Sequence, residues 1–440
     1  MSNGQGGNNS HITSSPKKFL FVSWESLSGD LAWQIKKEGH EVRAYVKAEC
    51  DQDVYDGFLD KVSDYKQFID WADVVVFDDV GFGEEADELR KKGKLVVGGS
   101  SYTDKLEEDR EFGQSEMKRV GMLTLPHWDF SSHESALRFI EENPGRYVYK
   151  PSGFMGSDSK GLLFLGKDED GKDIHEIIRS NQKVLGKKVK QFQLQKFAQG
   201  VEVAVGAFFN GNDFIYPINI NFEHKKLFPG DIGPFTGEMG TLVYWSGSNP
   251  IFRTTLEKMR EDIKKSGYVG YIDINCIANA RGIYPLEFTC RFGYPILSIQ
   301  IEGITSEWGD FLIRIAKGEN YDLKIKRGFQ IGVVCAVPPF PYYDNSEMEI
   351  YKDLSIIFKK PNLDGVHLGD VKLIDDNWRI AGESGYALVV TGAGATVEDS
   401  RKQVYGRIEN ILLQNMFYRT DIGLGWHEDS DKLQTWGYLY

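Results

Sequence analysis

Four groups of residues in this chain have the types and the spacing to do chemistry. Lys150 ends the run YVYK and is followed by Gly153, Gly156, Lys160 and Gly161 in KPSGFMGSDSKG. A lysine at a strand end reaches the phosphates of a nucleotide, and a glycine-rich loop lays backbone N–H groups over them. The spacing is neither a Walker A loop nor a dinucleotide fingerprint, so a surface hairpin carrying a lysine explains these residues equally well. The alternating stretch Gln191–Phe197, ending in Gln195, Lys196 and Phe197, is followed by Gly200 and Glu202. Such a strand offers its backbone to an adenine edge and the carboxylate to ribose hydroxyls, although an amphipathic strand alone accounts for it more simply.

Asp273 and Glu287 fall on neighbouring strands of an expected hairpin, with Thr289 and Arg291 just beyond. Two carboxylates brought close repel unless a cation sits between them, and Mg2+ (or Mn2+) takes such oxygen ligands. Arg291 adds a fixed positive fork for a phosphoryl or acyl-phosphate group. A solvated strand end is the plainer account, but the apolar Leu286, Phe288 and Phe292 make a buried, partnerless carboxylate costly. The fourth group is the loop from His224 to Gly240, HKKLFPGDIGPFTGEMG. Its glycines Gly230, Gly233, Gly237 and Gly240, behind the cationic lead-in of His224, Lys225 and Lys226, suit a loop wrapped around an anion. A plain surface loop would leave Phe228, Phe235 and Met239 poorly placed.

The elements that must position these groups follow from periodicity. Phe19–Ser23, His40–Val46, Trp71–Phe77 and Lys94–Val97 read as strands alternating with helical stretches at Gly29–Glu38 and Asp87–Lys92. That order predicts a parallel sheet with helices on both faces. Helices are expected over Tyr102–Val120, His133–Asn143, Glu176–Leu185 and Ile251–Lys265, and hairpins about Asn210–Gly211 and Ala280–Arg281. Strands near Phe329–Val337 and Ala387–Thr391 precede a last helix, Val397–Gln414.

At 440 residues the chain is too long for one core. Its net charge of −13 argues against a nucleic-acid polymer as partner and leaves room for a local basic pocket. Cys50, Cys276, Cys290 and Cys335 are widely spaced without a CxxC pair, which argues against structural zinc or disulfides and for a reducing, cytoplasmic setting. Residues 1–16 are polar and rich in Gly, Asn and Ser, a disordered tail rather than a signal peptide. No run approaches the ~18 apolar residues of a membrane span, so no membrane partner is expected.

In this order the four groups resemble the ATP-grasp superfamily, and within it the glycinamide ribonucleotide synthetases. The sharpest matches are GPFTGEMG (Gly233–Gly240) and LEFTCRFGYP (Leu286–Pro295). LAW (Leu31–Trp33), YVYKPSG, KFAQGVE (Lys196–Glu202), EHKK (Glu223–Lys226), Gly385–Tyr405 and RTDIG (Arg419–Gly423) extend the likeness over most of the chain. The resemblance implies an α/β ATP-grasp fold in several parts. These are an N-terminal doubly wound parallel-sheet domain (17–101), an ATP-grasp domain (102–325) with a mobile lid at about 127–200, a C-terminal mixed α/β domain (326–425) and a tail (426–440). The implied activity joins a small carboxylate, glycine or another amino acid, to an amine through an acyl phosphate, as in purine biosynthesis. ATP and Mg2+ would serve it, in a monomer or small homo-oligomer.

Residue by residue, the resemblance puts Lys150 and Arg110 on the ATP phosphates, Arg110 standing where the family usually has lysine. Gly153, Lys160 and Gly161 would belong to the phosphate lid, Gln195, Lys196 and Phe197 to the adenine hinge, and Glu202 to the ribose. Glu287 would be the main metal ligand, with Thr289 in place of the usual asparagine and Asp273 compensating. His224, Lys225, Lys226, Asp231, Gly233, Thr236, Gly237, Glu238, Gly240 and Arg291 would surround the acyl phosphate, with Arg291 and Lys150 as the catalytic cations. The departures cluster. Ser23–Gly29 replaces a double-glycine loop followed by Arg-Glu-His, Asp78-Asp79-Val80-Gly81 replaces Gly-Pro-Glu, and Tyr294 and Ile296 replace an acidic pair. These positions shape the phosphoribosylamine pocket in the family. A different amine (a modified nucleotide, a peptide or a natural-product precursor) and an inactive nucleotide-binding relative are therefore the alternatives.

Overall fold

The computed structural model describes residues 15–152, 162–182, 189–342 and 349–439. The tail expected over the first residues lies mostly outside these, as do Gly153, Lys160 and Gly161 of the expected lid.

The first five strands are β1 (Lys18–Ser23), β2 (Glu41–Val46), β3 (Asp60–Lys61), β4 (Val74–Phe77) and β5 (Leu95–Val97). They form a parallel sheet in the spatial order β3-β2-β1-β4-β5. Side chains alternate across a strand, so Phe19 and Phe21 pack on one face with Leu31 and Ile35 of helix Gly29–Lys37, while Leu20 and Val22 pack on the other with Ala86 and Leu89 of helix Gly83–Lys91. Both faces are apolar because both are covered, as the expected doubly wound sheet requires.

A second sheet is antiparallel and small. It holds β6 (His127–Phe130), β7 (Tyr147–Ser152), β8 (Phe164–Leu165) and β9 (Gln191–Lys196) in the order β6-β9-β7-β8. Helices His133–Glu142 and Lys172–Ser180 cover it, giving a core of its own around Ile140, Tyr147, Tyr149, Ile174 and Phe192.

The third sheet has eight strands. Its chain segments include β10 (Val201–Asn210), β11 (Phe214–Glu223), β14 (Gly240–Ser246), β15 (Val269–Asn279), β16 (Gly282–Thr289) and β17 (Phe329–Ala336), and a hairpin of β12 (Lys226–Phe228) and β13 (Ile232–Phe235) projects between β11 and β14. The order is β16-β15-β10-β11-β14-β17, followed by Tyr386–Gly394 and Val366–Leu368. The C-terminal strands thus extend the central sheet by antiparallel pairing of β17 with Tyr386–Gly394.

Several helical stretches differ from the sequence reading, and three of them show a local reason. Tyr102–Val120 is two helices, Ser101–Glu108 and Arg110–Arg119, because Asp109 turns extended and its carboxylate accepts the Phe112 amide at 3.0 Å as an N-cap. Ile251–Lys265 is broken at Thr255, whose hydroxyl bonds the Ile251 carbonyl at 2.6 Å. The last stretch, expected as a tail over 426–440, carries helix Trp426–Thr435, held by fully buried Leu433 and by Trp426 packed on Phe222, Tyr244 and Phe329. Among the described residues no helix is long and apolar enough to cross a membrane.

Candidate functional site

Lys150 enters the site from the second sheet, where β7 pairs with β9 and sets Lys150 opposite Gln193. It is almost wholly buried. Burial, with the Arg110 guanidinium nearby, holds its pKa down to about 7. Arg110 is the first residue of helix Arg110–Arg119, delivered there by the break at Asp109, and its Nε is buried with no partner among the described residues. A cavity of about 100 Å3 opens between this helix, Pro151 and β16, lined by Glu107, Arg110, Gln114, Met117, Glu287 and Phe288. Arg110 and Glu287 line this void, and both act on the charge of Lys150 beside it, a grouping that suits phosphate oxygens.

Below them lies an acidic floor with one cation in it. The Lys225 ammonium stands 2.8 Å from Glu202, 3.4 Å from Glu223 and 3.8 Å from Glu287. Burial opposes its charge, but these three carboxylates hold its pKa well above the ordinary lysine value. Glu223 also accepts the Asn275 amide at 2.7 Å. The expected hairpin of β15 and β16 is present, with Asp273 opposite Thr289 and Asn275 opposite Glu287, so all four share one face. Asp273 bonds Thr289, and burial together with Glu223 raises its pKa well above the carboxylate range. Glu238 is raised by burial and Glu223, and its Oε1 has no partner among the described residues; neither has Asn275 Oδ1.

No group of three or more His, Cys, Asp or Glu among the described residues is already arranged around a metal. The chemistry of the donor set nonetheless fits a hard divalent cation. Glu223, Glu238, Asp273, Asn275 and Glu287 present oxygen only, two of these oxygens are unpartnered, and crowding of the acids disfavours their charged forms until a cation arrives.

The glycine-rich loop is ordered by its neighbours. Thr236 bonds the Lys225 carbonyl through both its amide at 2.8 Å and its hydroxyl at 2.9 Å, which returns the hairpin of β12 and β13 to the site. Lys226 bonds the Gly233 carbonyl at 3.1 Å and covers the Phe235 ring at 3.5 Å. Asp231 points away from the acids, to Arg419 at 2.8 Å. Burial, then the Arg419 charge, lowers the pKa of the His224 imidazole, and its Nδ1 has no partner among the described residues. Gly240 is a close-approach position, since a Cβ there would stand 2.6 Å from the Gly332 carbonyl oxygen. Gly237 is exposed.

Two of the expected site groups already have partners within the chain. The backbone of Gln195–Phe197 was expected to face an adenine, but the Lys196 and Phe197 amides already donate to Pro126 and Arg146, at 2.9 and 3.0 Å, because β9 lies between β6 and β7. Gln195 is buried with a partnerless Nε2, and Phe197 lies under the Arg146 guanidinium at 3.5 Å. Arg291 is no open fork: its Nε meets Glu107 at 2.9 Å and Asp79 at 3.1 Å, and Nη1 donates to the Phe292 carbonyl at 3.2 Å. Sequence reasoning passed over Glu223 as a site residue, although it sits directly before His224 and Lys225 in the matched EHKK. It also missed Glu107 and Asn275, whose neighbours come from distant segments and leave no local signal.

Residues 108–296 match the family model described as phosphoribosylglycinamide synthetase, ATP-grasp (A) domain. The phosphoribosylamine–glycine ligase of Streptococcus pneumoniae (strain R6) is 25% identical over 380 residues, covering 82% of this chain and 87% of that protein. The crystal structure of the Thermotoga maritima phosphoribosylamine–glycine ligase superposes with a TM-score of 0.69 at 21% identity, covering 92% of this chain and all of that one. The biotin carboxylase domain of Hydrogenobacter thermophilus 2-oxoglutarate carboxylase, solved with MgADP and bicarbonate, gives 0.62 at 14% identity over 96% of both chains. Residues 108–296 thus match an ATP-grasp domain, and the chain is similar to the phosphoribosylamine–glycine ligases over most of its length.

Proposed function

We propose that the protein is an ADP-forming carboxylate–amine ligase that activates a small carboxylate, glycine or a close analogue, as an acyl phosphate. The carrying observation is the gathering of Lys150, Arg110 and Lys225 around Glu287 and Glu202, where Arg110 and Glu287 line one cavity and Lys225 pairs with Glu202, Glu223 and Glu287. The cations neutralise phosphate charge as the carboxylate oxygen bonds the γ-phosphorus and the bond to the β-bridging oxygen breaks, releasing ADP. An amine then attacks the acyl carbon: the C–N bond forms, the C–O bond to phosphate breaks, phosphate leaves with the electron pair, and the surplus proton passes to solvent. Glu287 with Asp273, assisted by the oxygens of Asn275 and Glu223, would hold Mg2+, which supplies charge neutralisation on the phosphates when bound.

Glu202 lies 2.8 Å from Lys225 and is suited to ribose hydroxyls when that contact yields. Phosphoribosylamine is the acceptor that the relatives' names suggest. A different amine is the second reading, favoured by Asp78 and Asp79 at the end of β4.

The test is ADP release with Mg·ATP and amino acids, run with hydroxylamine in place of the amine. Hydroxamate and ADP in equal amounts are expected, and both should stop when EDTA removes the metal. No nucleotide binding and no hydroxamate with any acid would sink the proposal.

A further inference from the structure

In an open parallel sheet the ligand crevice lies beyond the carboxyl ends of the strands, where the connections part to opposite sides. Here that point falls between β1 and β4, because β2 and β3 lie to one side and β5 to the other. The crevice floor is Ser23, the loop 24–28 and the pair Asp78–Asp79. Ser28 donates to Asp78 through its amide at 2.9 Å and its hydroxyl at 2.6 Å. The Tyr55 hydroxyl donates to the Ser26 carbonyl and accepts the Gly29 amide at 2.9 Å. The far wall comes from the last third of the chain: Asp370 accepts hydrogen bonds from Ser26, at 3.2 Å, and from Ser384.

This crevice adjoins the acyl-phosphate end of the site. Arg291 bonds Asp79, and the Tyr386 ring packs tilted against Tyr294 with centroids 4.4 Å apart, with Tyr294, Glu238 and Asp370 all bearing on the Tyr386 hydroxyl. The crevice is acidic throughout. Asp51, Asp78 and Asp370 are buried, and Glu25 and Glu383 stand at the more exposed rim. Burial, then Glu25, raises Asp51 to about 6; burial, then Asp79, raises Asp78 to about 7; burial, then Asp51, raises Asp370 well above its usual range. The cations of adjoining segments are engaged elsewhere. Lys47 lies over the Trp24 ring at 3.4 Å, Lys352 and Lys372 meet Asp53 at 3.3 and 2.8 Å, and His367 meets Asp30 at 2.7 Å. Among the described residues none forms an ion pair with Asp51, Asp78 or Asp370.

Two further atoms point to a ligand. Asp78 is fully buried, yet its Oδ1 has no hydrogen-bond partner among the described residues, and the Tyr386 hydroxyl, on a side chain nine-tenths buried, has none either. Buried polar atoms of this kind are costly unless something bonds them. A phosphate would meet three buried carboxylates against one cation, Lys47 over the Trp24 ring, whereas an ammonium group would meet acceptors on most sides.

Resting on the ligase reading above, we propose that the acceptor amine binds in this crevice as an ammonium-bearing molecule without a phosphate, a diamine or diamino acid. One nitrogen is held as ammonium by Asp370 and Asp51, and the other is presented past Asp78 to the acyl carbon.

The experiment uses the full chain with Mg·ATP and whichever amino acid gives hydroxamate with hydroxylamine. 1,4-Diaminobutane, ornithine and 2,3-diaminopropionate are then compared with phosphoribosylamine. A diamine should drive ADP release and phosphoribosylamine should not. Asp370→Asn should raise the diamine KM about tenfold or more with kcat nearly held, the scale of one lost buried ion pair. Asp51→Asn should act in the same direction if the first variant folds poorly. Hydroxamate formation with release driven by phosphoribosylamine, or with no diamine driving it, leaves the ligase reading standing and overturns the crevice assignment. A diamine KM indifferent to both substitutions also overturns it. No hydroxamate from any acid removes both.

Discussion

Lys150 carries its charge poorly, because burial and Arg110 hold its pKa to about 7. Phosphates favour the ammonium form, so ATP binding should take up a proton above that pH, and the Kd for ATP should rise by up to about tenfold per unit as pH climbs past 7. Titration calorimetry in buffers of different ionisation enthalpy reads both, and Lys150→Met should flatten the profile. The sign for stability runs the other way. The unfolded lysine keeps its proton up to about 10.4, so between 7 and that value the unfolded chain binds the extra proton and this group's contribution rises with pH. Glu287 shares the cavity with Arg110 and approaches Lys225 at 3.8 Å. Glu287→Gln should lower kcat more than about 100-fold with an unchanged circular dichroism spectrum, since a carboxylate in a metal set is not replaced by an amide. Survival of activity would remove Glu287 from that set. At this scale the sequence showed which residues carry charge but not whom they meet. Glu107 and Arg291 are 184 positions apart and bond at 2.9 Å, a pairing that no local pattern encodes.

The hairpin of β12 and β13 depends on one buried cation. Arg419 is 1% exposed and binds Asp421 at 2.6 Å, Asp231 at 2.8 Å and the Lys226 carbonyl at 3.0 Å. Arg419→Ala removes the donor from Asp231 and the Lys226 carbonyl and leaves Asp421 the Gly230 amide, so stability in urea should fall by about 1–2 kcal/mol and the KM for the carboxylate substrate should rise. A loss within 0.5 kcal/mol would show that the hairpin holds itself, as exposed pairs often contribute no more than that. Elements were legible wherever period and turn chemistry agreed. The strand–helix alternation of β1 to β5 and the hairpin of β15 and β16 follow directly from side-chain period. Boundaries failed where a side chain competed with the backbone, as Asp109 and Thr255 do by bonding amides or carbonyls that a continuous helix would use. The helix at Trp426–Thr435 was unreadable because its apolar anchors, Trp426 and Leu433, are few and their partners lie on β11, β14 and β17.

Across the whole molecule the burial is uneven. One core runs from Phe19 in β1 through the eight-stranded sheet to Leu439, while β6 to β9 and their two helices keep a separate, smaller core. A unit with its own small core opens below the global free energy, so amides of β6 to β9 should exchange by a sub-global opening that ATP suppresses. Hydrogen exchange followed by mass spectrometry checks this, and uniform protection across all three sheets would contradict it.

That division also decides which parts of the protein can be traded with a relative. Residues 127–196 enclose their own core, so a chimera importing that stretch from a Streptococcus ligase should fold and keep its choice of amine. The parallel sheet has no such independence. Trp33 packs on Trp378 at 5.6 Å, and helix Gly29–Lys37 shares the main core with residues over 300 positions away. The two walls of the β1/β4 crevice are thus cast in one piece, and importing residues 17–100 alone should yield a chain that fails to fold rather than one with a new acceptor.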